Sequence, residues 1–110
     1  MKINAMFGEI DAKFSVANYA YDGSIAIELN YYNAEEECYL PYTSVTVCIP
    51  GSLVLPNEVC IDTNNLDEHI VKELESQGII SKPRRYVYSG FCKYPVVNVC
   101  LDKINKNDLI

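Results

Sequence analysis

Asn65-Leu66-Asp67-Glu68-His69-Ile70-Val71-Lys72-Glu73-Leu74-Glu75-Ser76-Gln77-Gly78-Ile79 is the stretch on which the fold turns. Leu66, Ile70 and Leu74 recur four residues apart, which predicts a helix over about Leu66–Gln77 with one apolar stripe. Asn65 is placed to cap its first turn, and Glu68 three residues on makes a capping-box-like pair with Asn in the Ser/Thr position. Asp67 and Glu68 suit the positive end of the helix dipole. Gly78 can take the left-handed conformation that ends a helix. Leu74 and Ile79 then stand at the two positions that touch in a Schellman cap.

On either side the pattern changes from a period near 3.6 to a period of 2. Phe14 and Val16 alternate within residues 12–20. Ile25, Ile27, Leu29 and Tyr31 alternate with Ala26, Glu28 and Asn30. The two runs flank Asp22-Gly23, which marks a hairpin, because glycine accepts the positive φ of a tight turn. Cys38 to Ile49 reads as a third strand, at an edge or interrupted at Pro41, which has no N–H for the ladder. Pro50-Gly51 is a turn, and Glu58 to Asp62 is a short strand. After Lys82-Pro83, residues 84–89 and 95–101 read as two more strands around Ser89-Gly90. The expected fold is α+β: a twisted, mainly antiparallel sheet of five to six strands with one helix on a face, in the order β-β-β-β-α-β-β. Residues 1–110 form a single domain, and the polar tail 102–110 is expected to fray.

Composition agrees. Hydrophobic residues make up 49% and charged residues 22% of the 110, an ordinary globular balance that argues against disorder. Nine tyrosines and no tryptophan favour strands and half-buried surfaces. There is no signal-like amino terminus and no apolar run of membrane-spanning length; Val45 to Leu55, the richest stretch, is broken by Pro50, Gly51 and Ser52. These features predict a soluble cytoplasmic protein. Cys38, Cys48, Cys60, Cys92 and Cys100 are odd in number and dispersed, which predicts free thiols, most of them packed as small hydrophobes.

The motifs that carry common chemistries are missing from the sequence. It contains no Cys-x-x-Cys, no His-x-x-x-His and no alternating Asp/Asn calcium loop, so neither metal nor cofactor is expected. No glycine-rich turn precedes the helix. His69 with Glu73 could form an oriented general base. Cys92, near Lys93 and Arg85, is the best-placed nucleophile. A surface or boundary histidine paired with a neighbouring carboxylate, and a structural thiol, are the favoured readings of the two, so the chain is read as a non-enzyme, with a Cys92 or His69 enzyme as the third alternative.

Charge is distributed unevenly. Thirteen acidic residues against three lysines give residues 1–80 a charge of −10, while six basic against two acidic residues give 81–110 a charge of +4. The leading functional expectation is an acidic face formed by Glu28, Glu35, Glu36, Glu37, Asp62, Asp67, Glu68, Glu73 and Glu75 that meets a basic protein partner. A solvated face that maintains solubility explains the same residues. The alternative is a nucleic-acid platform made by Arg84, Arg85, Tyr86, Tyr88 and Lys93, in which rings stack and cations meet phosphates. The net charge of −6 opposes direct nucleic-acid binding.

Residues 58–97 carry a further pattern: Asp62-Thr63-Asn64-Asn65-Leu66, the helix closing at Gly78-Ile79, Lys82-Pro83 followed by arginine, Ser89-Gly90-Phe91, and Tyr94-Pro95-Val96. In this it resembles a group of short bacterial proteins of unknown function carried on the mobile elements of gut bacteria, domain-of-unknown-function family 4313. The resemblance implies a cytoplasmic accessory protein of a bacterial mobile element. Taken with the acidic block and the missing catalytic motifs, it leads to the expectation of a non-enzymatic regulator or binding module, in its sharpest form an acidic inhibitor of a host defence or nucleic-acid-handling protein whose phosphate-binding groove the carboxylates occupy. The resemblance supplies no catalytic residues. Ser89-Gly90-Phe91 and Tyr94-Pro95 also have a structural explanation, a turn with flanking aromatics that close the core.

Overall fold

The alternation around Asp22-Gly23 folds as a hairpin. In the computed structural model, which describes residues 1–52 and 54–110, β2 (Gly8–Asn18) pairs antiparallel with β3 (Ile25–Asn33), Phe14 facing Leu29 and Val16 facing Ile27 across the ladder. Gly23 takes φ 74°, a value that a Cβ would oppose. Flanking strands β1 (Lys2–Ala5) and β4 (Cys38–Ser44) complete a four-stranded sheet in the order β1-β2-β3-β4. Pro41 lies in the edge strand β4, where its missing N–H leaves no partner unsatisfied, and the ladder shifts register beside it.

A second four-stranded sheet follows: β5 (Thr46–Val47), β6 (Glu58–Ile61), β7 (Arg85–Ser89) and β8 (Cys92–Asn98), ordered β5-β6-β8-β7 and antiparallel throughout. The class is α+β, mostly antiparallel strands with one helix. Among the described residues the strands number eight in two sheets, more than the five to six expected in one. Two local facts account for the difference. Lys2-Ile3-Asn4-Ala5 forms a strand whose Ile3 and Ala5 turn inward. Val45 divides the run from Cys38 to Ile49, because its N–H bonds to Ile27 O in the first sheet and its carbonyl accepts from Asp62 N–H beside the second.

Helix α1 (Glu68–Ser76) buries Ile70 and Leu74 and packs against β1. Its stripe joins Ile3, Phe14, Leu29, Val59, Ile61, Val97 and Ile104 in the main core. The strands β6 and β8 are buried on both faces. Val59, Ile61 and Val97 face this core, while Cys60, Tyr94 and Val96 join Ile49 in a smaller one. At the far end of α1 the Schellman pattern forms as expected: Ile79 N–H bonds to Leu74 O at 3.0 Å, Gly78 N–H bonds to Glu75 O at 3.0 Å, and Gly78 has φ 74°.

Three expectations are corrected. Asp67, not Asn65, caps the helix; its Oδ1 accepts from His69 N–H at 2.8 Å and its Oδ2 from Met6 N–H. Asn65 turns back instead and donates to Asp62 Oδ2 at 3.0 Å. The tail is built into the fold. It forms 3-10 turns at Leu101–Lys103 and Lys106–Asp108, buries Ile104, and pairs Ile110 N–H with Phe14 O. The five thiols are free, yet only Cys60 is fully buried, while Cys38 and Cys100 are exposed.

Because Asp67 holds both the first turn of α1 and the tip of the β1–β2 hairpin, Asp67→Ala should cost about 1–2 kcal/mol in urea denaturation. Asp67→Asn keeps an acceptor and should cost less than half as much.

Candidate functional site

The structure separates the acidic candidates by what each already holds. Glu35, Glu36 and Glu37 are exposed in the connection between β3 and β4, and none of them makes an ion pair among the described residues. The connection is built locally: Asn33 Oδ1 accepts from Glu36 N–H at 3.0 Å, and Glu37 takes φ 53°. Among the described residues Glu37 is the one non-glycine with positive φ, a conformation that costs about 1–2 kcal/mol for an L-residue. Glu28 projects from β3, exposed, opposite Ser44.

On α1 the carboxylates have neighbours. Glu68 pairs with Lys72 at 3.1 Å, both well exposed, and Glu73 accepts from Ser76 Oγ at 3.2 Å. Glu75 is half-buried. Asp62 and Asp67 leave the proposed face. Asp62 is buried and receives Asn65, while Asp67 is the helix cap. Desolvation raises the Asp67 carboxyl, but the amides of His69 and Met6 outweigh it and hold the group below the usual carboxylate range.

The two arginines of the basic candidates converge on Glu58, an acid that sequence reasoning passed over. Its side chain opens β6 and is buried. Oε1 accepts from Leu55 N–H at 3.0 Å and from Arg85 Nη2 at 3.1 Å, and Arg84 Nε lies 3.9 Å from Oε2. The Leu55 amide and then the two arginines, working against burial, hold Glu58 below the usual carboxylate range. Lys93 Nζ sits 4.2 Å from the centre of the Tyr86 ring. Tyr86 and Tyr88 are exposed, as is Phe91 at the β7–β8 turn, but the two guanidinium groups beside them face a carboxylate of their own chain. A signal was present in the sequence: Glu58 opens the otherwise apolar run Val59-Cys60-Ile61, and a buried carboxylate requires a cation.

The candidate catalytic groups have different neighbours from those expected. His69 Nδ1 lies 3.0 Å from Asp67 Oδ1, and the ring is largely exposed. Cys92 Sγ is 3.1 Å from Asn64 Nδ2. The hydrogen bond to Cys92, then burial, raises the Tyr94 hydroxyl. Asn64 and Tyr94, both within the motifs that set residues 58–97 apart, thus meet at one thiol and tie the lead-in of α1 to β8. Among the described residues no three His, Cys, Asp or Glu side chains lie close enough to hold a metal ion. Among the described residues no helix is long and apolar enough to cross a membrane.

These features define an α+β domain of two antiparallel sheets around one helix, with a carboxylate-rich surface and its arginines turned toward a buried glutamate. The chain belongs to a family described as a domain of unknown function (DUF4313), whose model matches residues 13–109. The match takes in the later part of β2 and all of β3 as well as residues 58–97. No curated protein and no solved structure matches the chain.

Proposed function

We propose that this chain is a non-enzymatic protein-binding accessory module of a bacterial mobile element, and that its partner presents a basic surface to Glu35–Glu37. The observation that carries this reading is the β3–β4 tip. Three consecutive exposed carboxylates stand there without an internal cation, on a turn that keeps a glutamate at φ 53° where glycine would be favoured. Solubility requires charge but no particular backbone conformation. A basic groove that ordinarily holds phosphates offers complementary charge, so a nucleic-acid-handling protein is the partner class, and blocking that groove is the mode of action.

The test is capture from bacterial lysate on the tagged protein at low and high salt, followed by affinity measurement with the purified partner. The expected result is a partner released by salt and lost when Glu35, Glu36 and Glu37 are all replaced by lysine. Equal binding by the lysine variant, or no partner at low salt, would overturn the proposal. Glu37→Gly separates fold from function: it should raise stability by about 1 kcal/mol by relieving the left-handed strain, while weakening partner binding.

A second reading is supported by the exposure of Tyr86, Tyr88 and Phe91: single-stranded nucleic acid stacks on them, with Arg84, Arg85 and Lys93 supplying charge. Phosphates would have to compete with Glu58 for both arginines. Mobility shifts with single- and double-stranded DNA and RNA decide between the readings, and no shift at low salt removes this one.

A further inference from the structure

A cleft of about 670 Å³ lies at the opposite end of β3 from the acidic tip, between the β2–β3 turn and the segment that leads into β6. Its size is within the range of small-molecule sites, roughly 300–1,000 Å³. Tyr21, Ile25, Val54, Leu55 and Pro56 supply apolar wall, and Tyr21 and Leu55 are 72% and 64% exposed, large apolar side chains left to water at its edge. Asp22 is the one formally charged side chain among the described lining residues.

The chemistry around Asp22 consists of neutral donors. Its Oδ1 accepts from Ser24 N–H at 2.9 Å and Ser24 Oγ at 2.6 Å. These bonds, the hydroxyl first, hold the carboxyl below its usual range, so it is ionised at neutral pH. The Cys48 thiol also faces it. Burial, then the Asp22 charge, raises that thiol, which therefore stays protonated and neutral. The carboxylate thus keeps its full charge, with no lysine, arginine or histidine in the described lining to neutralise it. An anionic ligand would meet this charge in a chain of net charge −6. A purely apolar ligand would make no use of it.

We infer that this cleft binds an organic cation, an ammonium or guanidinium group carried on an apolar body, with the cationic head on Asp22 and the body against Val54, Leu55 and Tyr21. The Tyr21 ring can add a cation–π contact. The site is independent of the partner surface proposed above: β3 spans nine residues, about 27–30 Å, between the two.

The experiment is an NMR shift titration of the whole chain with phenethylammonium, alongside its neutral analogue phenethyl alcohol and its anionic analogue hydrocinnamate. A ligand of this size should saturate with a Kd on the order of millimolar. The expected result is saturable shifts at Ser24, Val54 and Leu55 with the cation alone. Asp22→Asn, which retains a side-chain oxygen for the turn, should weaken that binding at least about tenfold. A parallel titration with N-acetylarginine methylamide identifies the source: tighter binding than phenethylammonium points to a side chain of a polypeptide, weaker binding to a free amine. Equal binding of the alcohol, no saturation with any probe, or unchanged affinity in Asp22→Asn would overturn the inference. None of these outcomes bears on Glu35–Glu37, whose variants leave this titration unchanged.

Discussion

Leu74→Asp is expected to abolish the folded state. Leu74 is 1% exposed, on the inner face of α1 and within the main core. Removing its side chain alone would cost about 2–5 kcal/mol through lost burial and the cavity left behind. The aspartate adds a carboxylate in an apolar site with no cation to pair with, a further several kcal/mol unless it takes up a proton. A domain of this size has only about 5–15 kcal/mol of stability in total. Circular dichroism and urea denaturation at neutral pH should therefore show an unfolded or barely cooperative chain. Leu74→Met conserves volume and should cost less than about 1.5 kcal/mol, which separates the effect of charge from that of any change at this position. A Leu74→Asp variant melting at the wild-type temperature would mean that α1 does not pack on the core through this face.

The reason α1 could be read in advance is local. A stripe at Leu66, Ile70 and Leu74 and a glycine at 78 act within one element, and both behave as their chemistry requires. The cap could not be read that way. Asn65 and Asp67 are both competent acceptors two residues apart, and what separates them is remote: Met6 N–H, 61 residues away, bonds Asp67, while Asp62 captures Asn65. The division into two sheets has the same origin. Nothing in the alternation from Cys38 to Ile49 marks Val45, whose two backbone bonds go to Ile27 and Asp62. Short β1 was passed over because four residues of alternation, with only Ile3 and Ala5 turned inward, are too few to stand out.

The charged residues repeat this pattern. Contiguous Glu35-Glu36-Glu37 stands out in the sequence and stands exposed in the fold. Asp62 and Asp67 look identical to it in a charge count, but the Asp62 carboxylate holds the Asn65 side chain and Asp67 caps the helix. Asp22 was read only as half of the Asp-Gly turn, a role that hid its place in a cleft wall formed by residues about thirty positions later. Arg84 and Arg85 looked like a free basic platform because their partner lies 26 and 27 residues upstream, on a strand that β8 separates from the β7 strand that Arg85 opens.

That partnership has a measurable consequence. Glu58→Gln should destabilise the domain by about 1–3 kcal/mol at neutral pH, the range for a charge-assisted hydrogen bond, held toward the lower end because Arg84 and Arg85 are themselves 58% and 40% exposed and can turn to solvent. Glutamine still accepts from Leu55 N–H, so the loss reports on the arginines. The pH dependence follows from the direction of the shift. The Glu58 carboxyl is held below its unfolded value of 4.5, so the unfolded chain takes up a proton more readily than the native one. Its contribution is therefore complete above pH 4.5 and is lost as pH falls through the lower native value. Urea melts from neutral down to about pH 3 should show the gap between wild type and Glu58→Gln constant at first, then closing on the acid side. Both proteins should keep a residual acid slope from Asp67, whose carboxyl is also held low. Because Glu58 binds Leu55 as well as the arginines, a loosened pair should also speed hydrogen exchange at the Leu55 amide. Parallel pH curves for the two proteins would mean that the arginines belong to the solvent, and the nucleic-acid reading of residues 84–93 would regain both of its cations.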